Sequence, residues 1–241
     1  MSFIELESQK IPRITIGTSP FMGAGQFGSL GLKWRAAFFQ NAGKMAELMI
    51  HSYNEGAKGV EAIPAGQIIK AALIAKEKCP DFTIIASTLW ESKKNDFLIE
   101  ELIKVDAKII FLHGSISDQR DLNLIKPLLS KIRATDKIPG MATHYPHRTI
   151  SFIHQNKLDC SAILLPFNVR GEFMGDQNAV EKIVDSLDYF FVGMKTLGAG
   201  KIPPMKAFAY LADHNISAVT IGMVTKEEIT ETVAEAKKVF T

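Results

Sequence analysis

Along the chain, short apolar runs alternate with longer segments in which apolar residues recur every three or four positions. The runs fall at residues 13–20 (RITIGTSP), 59–64 (GVEAIP), 83–88 (TIIAST), 107–114 (AKIIFLHG), 138–144 (IPGMATH), 161–168 (SAILLPFN), 189–197 (YFFVGMKTL) and 218–223 (AVTIGM). Near-continuous apolar runs of this length are what strands buried on both faces of a parallel sheet require. The intervening segments, 41–53, 65–78, 94–105, 120–134, 146–156, 178–187, 204–214 and 227–239, carry the 3.6-residue period of amphipathic helices. Pro146 stands where a first helical turn tolerates proline, Pro127 is a candidate kink or restart, and Gly56 follows the first helix as a C-cap.

Eight strand–helix pairs within 241 residues predict a single α/β domain over 1–241, a (β/α)8 TIM barrel. A doubly wound open sheet has the same alternation and is the structural alternative. One stretch departs from the pattern. Residues 21–39, with Gly23, Gly25, Gly28 and Gly31, read as a long glycine-rich loop, a candidate lid. Its GAGQFG nominally satisfies GxGxxG, but the sequence signals no helix directly after it, which a dinucleotide fingerprint requires.

Composition narrows the function. Hydrophobic residues make up 46 % of the chain, enough for a core without staples, and 28 basic against 26 acidic residues give a net charge of +2 with no basic block. That argues against a nucleic-acid partner. Cys79 and Cys160 form neither a CxxC motif nor a disulfide framework, so a reducing cytoplasm is expected and both read as small buried residues. The N-terminus lacks the order of a signal peptide, and no apolar run is long enough for a membrane span.

In a barrel, the C-terminal strand ends face the active site. The polar residues there are Glu61, Ser87, Thr88, His113, Thr143, His144, Asn168, Lys195 and Thr196. His113 follows IIFL and precedes a glycine, a position from which an imidazole can act as acid, base or polarising donor. Lys195 ends an apolar strand; a partly desolvated lysine there can serve as base, imine-forming nucleophile or anion anchor, or it can snorkel to water. Glu61, His113 and His144 are conceivable metal ligands, yet no motif fixes their geometry, and no metal is expected. Two glycine breaks close the chain: Gly198 and Gly200 after the seventh strand, then Gly222 and Met223 before Thr225-Lys226-Glu227-Glu228. Glycine turns feeding helix N-termini free backbone N–H groups, so the pair reads as a phosphate cradle with Lys226 beside it, or as tight turns only. Thr225 and Glu228 fit a capping box.

These segments, in order, resemble the aldo-keto reductases: ITIGTSPFMGAGQFG, AELMIHSYNEGAKGVEAIPAG, KIIFLHG, IPGMATHYP, DCSAILLPFN, and GMKTLGAG with TIGMVTKEEITETV. The resemblance spans nearly the whole chain and implies a TIM barrel using NADPH or NADH. It gives the tail a ligand, the cofactor's adenosine phosphate, and implies cofactor contacts at Thr143, His144, Asn168, Gly198, Gly200, Gly222, Met223, Thr225 and Lys226. The catalytic set it implies is incomplete. Glu61 stands at the family's aspartate, Gly66 at its tyrosine, and Thr88 (or Ser87) at its lysine; His113 alone is kept. Thr143-His144 replaces a Ser-Asn pair, and Leu164 replaces a glutamine. Carbonyl reduction needs an acid to protonate the forming alkoxide. The catalytic candidates are therefore His113, Lys195 and Glu61. Three readings follow: an oxidoreductase with substituted catalytic residues acting on a small carbonyl compound; an isomerase, lyase or aldolase using Lys195 on a small phosphorylated substrate; and an inactive nucleotide-binding relative.

Overall fold

The computed structural model describes residues 2–90 and 95–241. Its first element is a hairpin that the apolar pattern does not announce, β1 (Phe3–Leu6) and β2 (Gln9–Pro12), paired antiparallel. The turn is made by Glu7 and Ser8, both at positive φ (49° and 63°). Two-residue hairpins normally place Asn-Gly or Asp-Gly there, so this turn carries no sequence signal. Arg133 and Ser161 hydrogen-bond the Glu7 carboxylate and hold it in place.

Eight parallel strands follow: β3 (Ile14–Gly17), β4 (Gly59–Ala62), β5 (Thr83–Ser87), β6 (Ile109–Leu112), β7 (Ile138–Ala142), β8 (Ala162–Pro166), β9 (Phe190–Met194) and β10 (Ala218–Gly222). Each pairs with the next, and β10 closes on β3 from Val219↔Ile14 to Gly222↔Gly17. The fold is a closed (β/α)8 barrel, not an open sheet. Outside it lie α1 (Gly28–Phe38), α2 (Ala42–Glu55), α3 (Ile68–Lys78), α4 (Asn95–Lys104), α5 (Gly114–Ser117), α6 (Leu122–Arg133), α7 (Pro146–Gln155), α8 (Gln177–Ser186), α9 (Pro204–Leu211) and α10 (Lys226–Phe240). The expected start of α4 at Lys94 lies outside the described residues. Among the described residues, no helix is long and apolar enough to cross a membrane.

Strand alternation divides the core in two. Inward residues Ile85, Ile109, Phe111, Ala142, Ala162, Leu164, Phe190, Val192 and Ala218 fill the barrel. Ile11, with Ile4 and Leu6, packs beneath them, so the hairpin plugs the barrel's N-terminal end. Outward residues such as Ile84, Ile110, Ile163 and Val219 pack against the helices. With its lower end plugged, the barrel presents its C-terminal mouth to ligands.

Two expectations need correction. Residues 21–39 are not an irregular loop: a 3-10 turn at Gly25–Phe27 runs into α1 at Gly28. Gly28 and Gly31 disfavour a helix locally, but tertiary contacts override them. Phe38 packs on Phe21 with ring centroids 5.0 Å apart, and Arg35 Nη1 donates to the Met22 carbonyl. Gly31 lies so close to Gly23 that a Cβ there would stand 3.1 Å from the Gly23 carbonyl. So a helix does follow GAGQFG, though at the end of a loop rather than directly off β3. Pro127, for its part, does not restart the helix: it lies inside α6.

Candidate functional site

Glu61 is the inward residue near the end of β4 and is only 4 % exposed. Thr18, just after β3, fixes this corner: its hydroxyl donates to the Glu61 carbonyl (3.0 Å) and accepts from the Ile63 N–H (3.1 Å). The Glu61 carboxylate accepts one hydrogen bond, from Ser87 Oγ on β5 at 2.7 Å. Burial pushes its pKa up to about 7, against the smaller opposing effect of Ser87. A carboxylic acid therefore stands at the mouth, poised to hold or release a proton near neutrality.

His113 lies one residue beyond β6, and its backbone N–H donates to Thr88 Oγ1 (3.1 Å). Its Nδ1 accepts from the Ser115 N–H at 3.1 Å and lies 2.9 Å from Ser115 Oγ. Burial, then the charge of the neighbouring His144, lowers its pKa to about 4. The ring is thus neutral at physiological pH, and because Nδ1 is an acceptor, the proton sits on Nε2. His144 packs edge-on against it, ring centroids 5.8 Å apart, and Trp90 approaches at 6.4 Å. Gly114 makes room: a Cβ there would stand 2.9 Å from His144 Cδ2.

A residue that sequence reasoning passed over holds this side of the mouth together. The Asp118 carboxylate accepts from the hydroxyls of Thr143 and Thr149 and from the His144 N–H (2.9 Å). The sequence carries no signal for it, because Asp118 sits in the β6–α6 connection and its partners lie 25 to 31 residues away.

Lys195 is the first residue after β9, at φ 56°, a left-handed conformation that is rare for a residue with a side chain. Burial lowers its pKa. Its charge in turn lowers the pKa values of His113 and His144. Among the described residues Lys195 makes no ion pair; its Nζ lies 4.4 Å from the centre of the Phe173 ring.

Beside it opens a cleft over the ends of β3, β9 and β10, lined by Glu61, Lys195, Gly200 and Gly222 among others. Two further lining residues, Thr196 (1 % exposed) and Thr220 (6 % exposed), carry buried hydroxyls with no hydrogen-bond partner among the described residues. Orphaned hydroxyls are costly unless something completes them. Gly17 and Gly222 keep the cleft floor open: a Cβ on Gly17 would stand 2.9 Å from Thr220 Oγ1, and one on Gly222 2.7 Å from Pro20. The position of Thr220 on the inward face of AVTIG was the available signal for it.

The remaining sequence candidates take other places. Thr143 is tied to Asp118 and accepts from the Tyr145 N–H. Asn168 is committed to its own loop, accepting from the Arg170 and Glu172 N–H groups and donating to the Glu172 carbonyl. Met223 is a buried core residue, and a Cβ on Gly198 would meet Ile202. Thr225 and Lys226 are exposed. The capping box forms: Thr225 Oγ1 accepts from the Glu228 N–H, and Glu228 Oε2 accepts from the Val224 N–H at 2.8 Å. A carboxylate therefore already occupies the N-terminus expected to seat a phosphate. Among the described residues, no group of three or more His, Cys, Asp and Glu could hold a metal ion.

No protein-family model and no curated protein matches the chain. Solved structures do. A protein from Pseudomonas aeruginosa assigned as an aldo-keto reductase is similar with a TM-score of 0.73 at 13 % identity, covering 98 % of this chain and 94 % of that one. An aldo-keto reductase from Bacillus halodurans, in its holo form, is similar with a TM-score of 0.64 at 9 % identity over 100 % of this chain and 92 % of that one. An aldo/keto reductase from Klebsiella pneumoniae, solved with NADP and acetate, is similar with a TM-score of 0.64 at 12 % identity, covering 98 % and 89 %. Over nearly its whole length, the chain has the (β/α)8 barrel fold of the aldo-keto reductases.

Proposed function

We propose that the protein is a carbonyl oxidoreductase of the aldo-keto reductase type that holds a nicotinamide dinucleotide in the cleft over β3, β9 and β10. The observation that carries this reading is the cleft itself, with Glu61 and Lys195 in its lining and, in its walls, Thr196 and Thr220, whose buried hydroxyls have no hydrogen-bond partner among the described residues. They would complete their hydrogen bonds on the polar groups of the cofactor, and the glycine floor at Gly17 and Gly222 leaves room for it. The dinucleotide, when bound, supplies or accepts the hydride.

The chain's own residues handle the proton. His113 Nε2–H donates to the substrate carbonyl oxygen and stabilises the charge that develops there. Glu61, protonated in part at neutral pH, delivers a proton to the alkoxide and takes it back in the oxidative direction. Ser87 orients the Glu61 carboxyl through its 2.7 Å hydrogen bond. In this chain Glu61 thereby takes the place of the missing tyrosine–lysine acid. We place the protein in a reducing compartment, in keeping with two free, buried cysteines.

Fluorescence titration with NADH and NADPH tests the reading. Binding is expected in the micromolar range and is weakened about tenfold or more in Thr196→Val/Thr220→Val, each lost hydrogen bond contributing about 1 kcal/mol. No binding of either nucleotide at millimolar concentration overturns it.

A further inference from the structure

The segment joining β3 to α2 is far longer than a strand-to-helix connection in a barrel needs, and it walls the cleft. Ser19, Pro20, Gln26, Phe27 and Trp34, all from this segment, line it together with Gly17 and Gly222. The segment is held along its length. The Ala24 N–H donates to the Ser19 carbonyl at 3.2 Å, Arg35 Nη1 to that of Met22 at 3.0 Å, and the Gln67 N–H, just before α3, to that of Phe39 at 3.0 Å. Trp34 itself packs against the core. The wall is therefore preformed, as small-molecule sites usually are.

Phe27 and Trp34 make this wall aromatic. Their rings meet edge to face, centroids 5.0 Å apart at 67°, and both are half-buried, so part of each ring stays accessible. Phe27 stands beside the end of β10: a Cβ on Gly222 would lie 4.0 Å from Phe27 Cζ. Strand register measures how far this is from the acid. Glu61 is level with Gly17 on β3, and Gly17 with Gly222 on β10. Gly222 therefore lies two strand spacings, roughly 10 Å, from Glu61. A nicotinamide that exchanges hydride beside Glu61 leaves the aromatic pair to the other base of the dinucleotide. The polar groups in the lining suit adenine. The Gln26 amide offers both a donor and an acceptor, the combination that matches N7 and the N6 amino group of adenine. Glu228, also in the lining, disfavours a phosphate, whereas its carboxylate is an acceptor for an amino group.

We infer that Phe27 and Trp34 form the adenine seat of the cleft, with the base stacked on this aromatic pair and the nicotinamide at Glu61. The connection between β3 and α2 is then part of the binding site and not a spacer. Thr196 and Thr220, in the same cleft, are left for the sugars and phosphates that join the two bases. This inference rests on the dinucleotide reading above and places that cofactor's second base.

Calorimetric titration with AMP, nicotinamide mononucleotide and ribose 5-phosphate tests it, since the three differ only in the base; NADH, titrated alongside, tests the dinucleotide reading by itself. The wild type is expected to bind AMP at least tenfold more tightly than ribose 5-phosphate. Phe27→Leu and Trp34→Leu, which keep apolar bulk but remove a ring, should each weaken AMP and NADH by a similar factor of about ten, the usual size for a base stacked on one ring. Nicotinamide mononucleotide should stay within twofold in both variants, and Trp34→Phe should retain most of the AMP affinity. Thermal melts report on folding, and if a leucine variant unfolds, the wild-type comparison and Trp34→Phe still decide. Equal binding of AMP and ribose 5-phosphate by the wild type overturns the inference. So does an AMP preference that survives in both leucine variants, and so does a loss that falls equally on nicotinamide mononucleotide. An AMP preference without NADH binding overturns the dinucleotide reading and leaves the adenine seat standing.

Discussion

The Ser115 N–H donates to His113 Nδ1 at 3.1 Å, and that one hydrogen bond decides which way the histidine can act. With Nδ1 occupied as an acceptor, Nε2 carries the proton and the ring offers a donor to the mouth. The low pKa, about 4, keeps this tautomer neutral throughout the physiological range.

Replacing His113 with Ala should therefore reduce kcat/KM for carbonyl reduction by a factor of about 100 or more, the usual size for loss of an oxyanion donor. Dinucleotide affinity should be unchanged, since the histidine is not among the residues lining the cleft. Steady-state kinetics with fluorescence titration check both. Wild-type turnover in the variant would remove His113 from the reaction.

Glu61 should impose a pH dependence on both stability and rate. Its folded pKa, about 7, lies above the unfolded carboxylate value, so between these two pH values the folded state holds the proton more tightly. Stability is lost progressively as pH rises through that window, by at most about 3 kcal/mol. Glu61→Gln should accordingly raise the thermal midpoint relative to wild type at pH 8 and little at pH 4.5. The same substitution should remove an alkaline fall in reductive kcat centred near pH 7, read from a pH–rate profile.

Asp118 braces the His144 side of the mouth with three accepted hydrogen bonds. Asp118→Ala leaves the buried hydroxyls of Thr143 and Thr149 without their acceptor and should destabilise the fold by roughly 2–4 kcal/mol. Denaturant unfolding measures this. The substitution should also reduce kcat, because the loop that carries His113 loses its tie to β7.

The capping carboxylate of Glu228 makes the start of α10 a poor seat for an added phosphate. NADH is accordingly expected to bind at least as well as NADPH, and Glu228→Gln to improve NADPH binding several-fold while leaving NADH within about twofold, since one charge near the site contributes on the order of 1 kcal/mol. Parallel titrations of the two nucleotides check it. A strong wild-type preference for NADPH would contradict the role given to Glu228.

Much of the architecture was readable in the chain because it is locally encoded. IIFL, AILLP and FFVGM are buried on both faces, and the helices between them keep a helical period, so the strand count and the barrel follow. The hairpin and α1 were not readable for the converse reason. A Glu-Ser turn held by Arg133 and a glycine-containing helix held by Phe21 and Met22 depend on residues supplied from elsewhere.

The site divides along the same line. The sequence by itself determined which residues stand at the strand ends, Glu61, His113 and Lys195 among them, because strand position follows from local pattern. Only the tertiary structure decided what those residues are. It made Glu61 a half-protonated acid by burying it with Ser87, set the proton of His113 on Nε2, tied Thr143 to Asp118 and Asn168 into its own loop, and, among the described residues, left the hydroxyls of Thr196 and Thr220 without a hydrogen bond and Lys195 without an ion pair. Protonation state and hydrogen-bond satisfaction are set by burial and by neighbours distant in the chain, and neither is a property of local sequence.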